Sequence, residues 1–166
     1  MNDQSSLKGN SPAEAKRLAS QAASVRARLA ADPSVYHFDT PHAELFAVGD
    51  FMSADECARM IAMVDRVAKP SATFDTPYSA NYRTSYSGDV NHRDPFVRKI
   101  SRRIDDLLGI PSEFGEAVQG QRYLQGQEFQ AHCDFFYTDA AYWQHEKDRG
   151  GQRSWTAMVF LNDVER

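Results

Sequence analysis

Apolar residues recur at helical spacing in three parts of the chain. The first helix is predicted from Ser11 to about Ala31, because Ser11, Pro12 and Glu14 match an N-terminal capping pattern. Its apolar stripe is thin and consists of Leu18, Ala22, Val25 and Leu29. We therefore expect a surface helix with a solvated basic face, within an N-terminal extension of residues 1–44.

Two further helices have broader apolar faces and are predicted to face the core. A capping box from Ser53 to Glu56 begins one of them. Its apolar face consists of Cys57, Met60, Ile61, Val64 and Val67. The next helix is predicted to begin at Asp94 and Pro95 and to end before Gly109. Its inward positions are Val97, Ile100, Ile104 and Leu107.

Strand patterns are shorter and lie mostly in the second half of the chain. Residues 44–48 and 154–161 are each predicted to form a strand, and short β-like runs follow Glu116. Residues 69–92 are polar and predict a long loop or irregular hairpin, while residues 138–149 predict a connecting loop. Helices followed by strands predict an α+β fold, with the helices on one side of a sheet or barrel.

Charge and composition argue against nucleic-acid-binding, membrane-spanning and disulfide-rich secreted proteins. The 166 residues carry a net charge of −4, which gives no reason to expect nucleic acid or an anionic membrane as partner. No apolar run reaches the length of a membrane span, and the first residues do not resemble a secretory signal. Two cysteines form neither a zinc spacing nor a disulfide framework, so we expect reduced thiols in a cytoplasmic protein.

The candidate chemistry centres on His132 and Asp134. In a strand, residues two apart point to the same face, about 7 Å apart along the backbone. One imidazole and one carboxylate would then supply two of the three ligands of a 2-His-1-carboxylate Fe(II) site. The pair alone is weak evidence, because a salt link at a strand end gives the same spacing.

The surrounding motifs make the pattern specific. An Arg-Tyr pair, Arg122 and Tyr123, lies before the His-x-Asp motif, with Tyr123 nine residues before His132. After it, Gly150-Gly151-Gln152-Arg153 leads into a predicted strand that contains Thr156 and continues to Leu-Asn-Asp-Val at 161–164. From about residue 83 to 164 this order resembles the prolyl 4-hydroxylase family of 2-oxoglutarate- and Fe(II)-dependent dioxygenases. Residues 1–44 contribute nothing to the resemblance, and we assign residues 45–166 to the dioxygenase domain.

The resemblance implies a double-stranded β-helix, or jelly-roll, with supporting helices. It implies Fe(II) bound by His132 and Asp134, with 2-oxoglutarate as cosubstrate and O₂ as oxidant; ascorbate is a further candidate cofactor. Tyr123 matches the tyrosine that contacts the distal carboxylate of 2-oxoglutarate. The positions matching the peptide groove are Arg83, Ser85, Glu116 and Arg153. The implied substrate is a peptide or protein that contains proline.

The chain departs from the family pattern at its end. After the Leu-Asn-Asp-Val strand the family continues with a Gly-Gly-Glu-Thr turn, a second metal-binding His and a basic residue for 2-oxoglutarate. These do not occur in the sequence, where the last His is His145. We therefore expect an incomplete barrel, and a chain limited to these residues to be inactive and to self-associate through unpaired strands.

Three interpretations remain open from the sequence. The first is a dioxygenase, or part of one, that hydroxylates prolyl residues in a peptide. The second keeps the iron chemistry but takes a free amino acid or another small molecule as substrate. The third is a non-catalytic relic or interaction module that keeps half of the barrel.

Overall fold

The computed structural model describes residues 12–71 and 82–163. Its helices are α1 (Pro12–Ala31), α2 (Ala54–Val67), α3 (Pro95–Leu108) and α4 (Trp143–Arg149), with a 3₁₀ turn at Ser112–Phe114. Its strands are β1 (Val35–Phe38), β2 (Leu45–Val48), β3 (Lys69–Pro70), β4 (Tyr86–Asp89) and β5 (Gln119–Arg122). This mixture of helices and small antiparallel sheets confirms the predicted α+β class. Within these ranges, none of the helices combines the length and the apolar character that crossing a bilayer requires.

The described residues group into two compact units. The first lies within Met1–Gly49, Arg102–Gly115 and Asp134–Ala157. The second lies within Asp50–Ser101, Glu116–Cys133 and Met158–Arg166.

Helix α1 belongs to the first unit and buries the predicted stripe. Val25 and Leu29 are buried and Leu18 and Ala22 are half-buried, whereas most of the other residues of the helix are exposed. The predicted cap at Ser11 lies outside the described residues. The first unit also contains β1 and β2, which pair antiparallel with Val35 opposite Val48 and Phe38 opposite Leu45.

Helices α2 and α3 supply the core of the second unit. The capping box of α2 is confirmed: the Glu56 amide donates to Ser53 Oγ and the Ser53 amide donates to Glu56 Oε2, each at 3.2 Å. Asp94 caps α3, because its Oδ1 accepts a 2.7 Å hydrogen bond from the Phe96 amide. The buried cluster consists of Met60, Val64, Val90, Phe96, Val97 and Ile100.

A three-stranded antiparallel sheet covers α2 in the order β3-β4-β5. Strand β4 pairs with β3 through Ser87 and Lys69, so the residues predicted as a loop or irregular hairpin include a hairpin. Gly120 in β5 lies against Val64, and a Cβ at this position would come within 2.2 Å of the valine side chain. Only glycine fits this contact without movement of the helix or strand.

Three elements differ from the sequence prediction. Residues 143–149 form α4 instead of a loop, and the burial of Trp143 is the tertiary contact that the polar sequence does not indicate. Strand β1 has no counterpart in the sequence prediction. No strand is assigned over 154–161 in the described structure, although half-buried and exposed residues partly alternate there. A strand requires a hydrogen-bonded backbone partner as well as alternating side chains. The alternation alone therefore predicts a strand at 154–161 that is not assigned in the described structure.

Candidate functional site

The ring of His132 is held by two neighbours in the second unit. Its Nδ1 lies 2.8 Å from the carbonyl oxygen of Gln130, and its plane stacks on the ring of Phe129 at a centroid distance of 3.7 Å. A carbonyl oxygen only accepts hydrogen bonds, so Nδ1 carries the proton and the ring lone pair lies on Nε2. Metal-ligating histidines commonly use this arrangement, with one nitrogen donating to a carbonyl and the other facing the metal.

Arg83 lies beside the same aromatic ring because of backbone pairing. The Thr84 amide donates to the Glu128 carbonyl at 2.9 Å, and the Gln130 amide donates to the Tyr82 carbonyl at 3.0 Å. These bonds place Arg83 opposite Phe129 in an antiparallel bridge, where paired side chains share a face. The guanidinium carbon lies 4.5 Å from the centroid of the Phe129 ring, which fits a cation–π contact.

The environment of Arg83 is partly desolvated. Burial lowers the pKa of its guanidinium, and interaction with Tyr123 acts in the opposite direction. Its Nη2 donates to Gln119 Oε1 at 3.3 Å and its Nε donates to Ser85 Oγ at 3.4 Å. Two neutral acceptors and one aromatic face therefore contribute to fixing the guanidinium.

Ser85 supports Arg83 from within the second unit. The residue is only 1% exposed, and its Oγ also lies 3.1 Å from Ser71 Oγ. A hydroxyl this deeply buried is not accessible from solvent, and its contact with Arg83 holds that side chain in place.

Tyr123 and Glu116 lie in the same unit and are exposed. Tyr123 follows β5 and its hydroxyl donates to Gln121 Oε1 at 3.0 Å. Glu116 lies three residues before β5. The second unit thus brings Arg83, Ser85 and Tyr123 near one another, with Phe129 connecting Arg83 to His132.

Asp134 lies in the first unit and is held by residues about twenty positions further along the chain. The Thr156 hydroxyl donates to Asp134 Oδ2 at 2.9 Å. Arg153 Nη1 donates to the Asp134 carbonyl at 3.3 Å, and its guanidinium carbon lies 4.4 Å from the centroid of the Phe136 ring. The carboxylate and the backbone of Asp134 are therefore both fixed by the 153–156 segment.

Gln152 fixes the backbone of the same loop. Its Oε1 accepts from the Phe136 amide at 2.5 Å, and its Nε2 donates to the Phe136 carbonyl at 2.9 Å. One side-chain amide thereby satisfies both polar backbone groups of Phe136, which is buried. Gln152 and Thr156 belong to the sequence motif, which assigns them no role.

The described residues contain no group of three or more His, Cys, Asp or Glu side chains that could hold a metal. The chemistry of His132 and Asp134 nevertheless fits Fe(II), because the imidazole has its lone pair on Nε2 and the carboxylate is a hard oxygen ligand. The backbone of 131–134 forms neither helix nor strand.

In a comparison with known proteins, the relatives at about 30% identity are all named prolyl 4-hydroxylases. "Probable prolyl 4-hydroxylase 10" of Arabidopsis thaliana is 31% identical over 121 residues, covering 70% of this chain and 40% of the relative. "Prolyl 4-hydroxylase 5" of the same plant is 32% identical over 126 residues, covering 70% of this chain and 40% of the relative. No family model matches the chain.

The chain belongs to the prolyl 4-hydroxylase family. It spans about 40% of the length of the curated relatives it matches. The family resemblance stated from the motifs is thereby confirmed. The roles of the individual site residues stay predictions.

Phe129 is the functional candidate that sequence reasoning missed. It lies three residues before His132, inside the stretch that carries the family motif. An aromatic residue in a β-like run is ordinarily assigned to the core. Its stacking on the imidazole depends on the turn of the chain between 129 and 132, which sequence spacing does not reveal.

Proposed function

We propose that the protein is a 2-oxoglutarate- and Fe(II)-dependent dioxygenase that hydroxylates prolyl residues in a peptide or protein. The observation that carries this proposal is membership of the prolyl 4-hydroxylase family, with His132 and Asp134 at the matching motif positions. The proposed fold is the jelly-roll that the family resemblance implies. The activity is proposed for the whole protein.

His132 and Asp134 would each contribute one ligand to Fe(II). The proton on His132 Nδ1 is directed to the Gln130 carbonyl, so Nε2 would be the nitrogen that ligates the metal. The Asp134 carboxylate accepts from Thr156 at Oδ2 and would ligate the metal as a hard oxygen donor. When bound, the iron would use O₂ to convert 2-oxoglutarate to succinate and CO₂ and to insert the second oxygen atom into a C–H bond of proline.

Tyr123 is proposed to bind 2-oxoglutarate. Its hydroxyl is a donor at the end of an apolar ring, and it is exposed to a ligand from solvent. In this structure the hydroxyl donates to Gln121, and a 2-oxoglutarate carboxylate would be a stronger, charged acceptor in place of that amide.

The peptide is proposed to contact Arg83, Glu116 and Arg153, with Ser85 holding Arg83 in place. Arg83 and Arg153 each lie over an aromatic ring, Phe129 and Phe136 respectively. A guanidinium fixed in this way keeps a defined direction for hydrogen bonds to peptide carbonyls at a smaller loss of side-chain entropy.

Succinate formation distinguishes this proposal from small-molecule hydroxylation. The protein that carries this sequence is incubated with Fe(II), 2-oxoglutarate, ascorbate and either a proline-containing peptide or free proline. We expect the peptide to stimulate succinate formation and free proline to leave it at the background rate. Stimulation by free proline alone would favour a small-molecule substrate and contradict the proposal.

A further inference from the structure

The contact between Thr156 and Asp134 joins residues that are distant in sequence and exposed in the structure. Thr156 Oγ1 donates to Asp134 Oδ2 at 2.9 Å, which is a good length for a hydrogen bond to a carboxylate. Threonine is β-branched and has a restricted choice of χ1. Its hydroxyl therefore holds the carboxylate in one direction better than a longer, more mobile donor could.

The backbone on both sides of this contact is fixed as well. Arg153 donates to the Asp134 carbonyl, and Gln152 bonds to both the amide and the carbonyl of Phe136. Together with the Thr156 contact, the 152–156 segment holds residues 134–136 through side chains at three of its positions. The position of the carboxylate thus follows from the position of this segment.

The segment is itself attached to α1, in the first unit. Ser154 Oγ donates to Gln21 Oε1 at 3.4 Å. Gly151 has a positive φ of 79°, and a Cβ at this position would lie 3.1 Å from Arg17 Nη2. The N-terminal helix therefore supports the segment that orients Asp134, although its sequence carries no family motif.

We propose that Thr156 is a positioning residue that orients the Asp134 carboxylate as a metal ligand. This inference rests on the proposed iron site and adds a residue to which the motif assigns no role. A ligand that is already held in one rotamer loses less side-chain entropy when the metal binds. Removal of a hydrogen bond to a ligating carboxylate typically lowers metal affinity about 10- to 100-fold.

The test measures Mn(II) affinity of the whole protein that carries this sequence and of its variants. Mn(II) stands in for Fe(II) without oxidation, and unbound Mn(II) is quantified directly by electron paramagnetic resonance. Thr156→Val keeps the shape and removes the hydroxyl, and we expect it to weaken binding about tenfold or more. Thr156→Ser keeps the hydroxyl and should bind Mn(II) nearly as well as the unaltered chain. Thr40→Val is the matched control, since it makes the same change at a hydroxyl that accepts from the His42 amide, outside the 152–156 segment.

Each outcome of this experiment separates the inference from the proposed function. If Thr156→Val binds Mn(II) like the unaltered chain while Asp134→Ala does not bind, the positioning role is wrong and the iron site stands. If the whole protein and its Asp134→Ala variant have the same affinity, or neither binds, both proposals are wrong. Circular dichroism of each variant checks folding, and Thr156→Ala is a second variant with the same expected loss.

A purely structural role for Thr156 would give a different result. Thr156→Val would then lower the melting temperature of the metal-free chain and leave Mn(II) affinity unchanged, and Thr156→Ser would not restore any affinity. That combination would overturn the inference.

Discussion

The imidazole of His132 lies on the ring of Phe129, with the centroids 3.7 Å apart and the planes at 23°. The hydrogen bond from Nδ1 to the Gln130 carbonyl fixes the rotation of the imidazole in this stack. Both supports come from residues within three positions of His132 in the chain. Two residues close in the chain, Phe129 and Gln130, therefore help to orient this candidate ligand.

Replacement of Phe129 should weaken metal binding through His132. Phe129→Leu removes the stacked ring, which frees the imidazole to sample other rotamers, and we expect Mn(II) affinity to fall about tenfold. Phe129→Tyr keeps an aromatic ring and should retain affinity. The measurement is Mn(II) titration of the two variants and the unaltered chain. Equal affinity of Phe129→Leu and the unaltered chain would show that the stack does not position His132.

Removal of the Tyr123 hydroxyl should impair binding of 2-oxoglutarate selectively. A hydrogen bond to a charged group contributes about 1.5–3 kcal/mol, so Tyr123→Phe should weaken 2-oxoglutarate binding by roughly tenfold or more. The apparent Michaelis constant for 2-oxoglutarate should rise more than the constant for the peptide. Gln121→Ala is the control, because it removes the present acceptor of the hydroxyl without removing the donor. An unchanged 2-oxoglutarate dependence in Tyr123→Phe would exclude this residue from the site.

Replacement of Arg83 should impair binding of the peptide and leave binding of 2-oxoglutarate nearly unchanged. Arg83→Lys keeps the charge but loses the planar group that lies over Phe129 and donates to Gln119 and Ser85. We expect the Michaelis constant for a proline-containing peptide to rise severalfold, with that for 2-oxoglutarate nearly unchanged. Arg98→Lys, at an exposed position of α3, is the matched control. A rise confined to 2-oxoglutarate would contradict the assignment of Arg83 to peptide binding.

The Gly120 contact with Val64 makes a prediction about stability. Gly120→Ala would place a methyl group 2.2 Å from the Val64 side chain, and overpacking of this kind costs about 1–3 kcal/mol. The midpoint of urea unfolding should fall accordingly. Gly49→Ala has open space around the new methyl group and serves as control. The double variant Gly120→Ala, Val64→Ala should destabilise less than the sum of the single variants, and strict additivity would refute steric conflict as the cause.

The helices were predictable because their signals are local. The box at Ser53 and Glu56 and the cap at Asp94 specify where α2 and α3 begin, and both caps form hydrogen bonds in the structure. Helix α4 has only seven residues and no side-chain cap, so its formation depends on the burial of Trp143. Strand β1 likewise depends on its partner β2, ten residues away.

The residues of the candidate site also differ in how far the sequence predicts them. The residue types at 132 and 134 and the spacing of the motifs are sufficient to indicate the family. The roles of Thr156, Gln152 and Phe129 depend on contacts between separate segments or across a turn, and these contacts have no signature in residue type. Ser85 is predicted to line a groove, yet its burial follows from the pairing of β3 and β4, which the sequence does not specify.

Mass spectrometry of a proline-containing peptide tests the central claim most directly. The protein that carries this sequence is incubated with the peptide, Fe(II), 2-oxoglutarate and isotopically labelled O₂, in parallel with its His132→Ala and Asp134→Ala variants. The account predicts one labelled oxygen atom on a prolyl residue, one labelled succinate for each hydroxylation, and neither product with either variant. An unmodified peptide, or a hydroxylated peptide that both variants also produce, would contradict it.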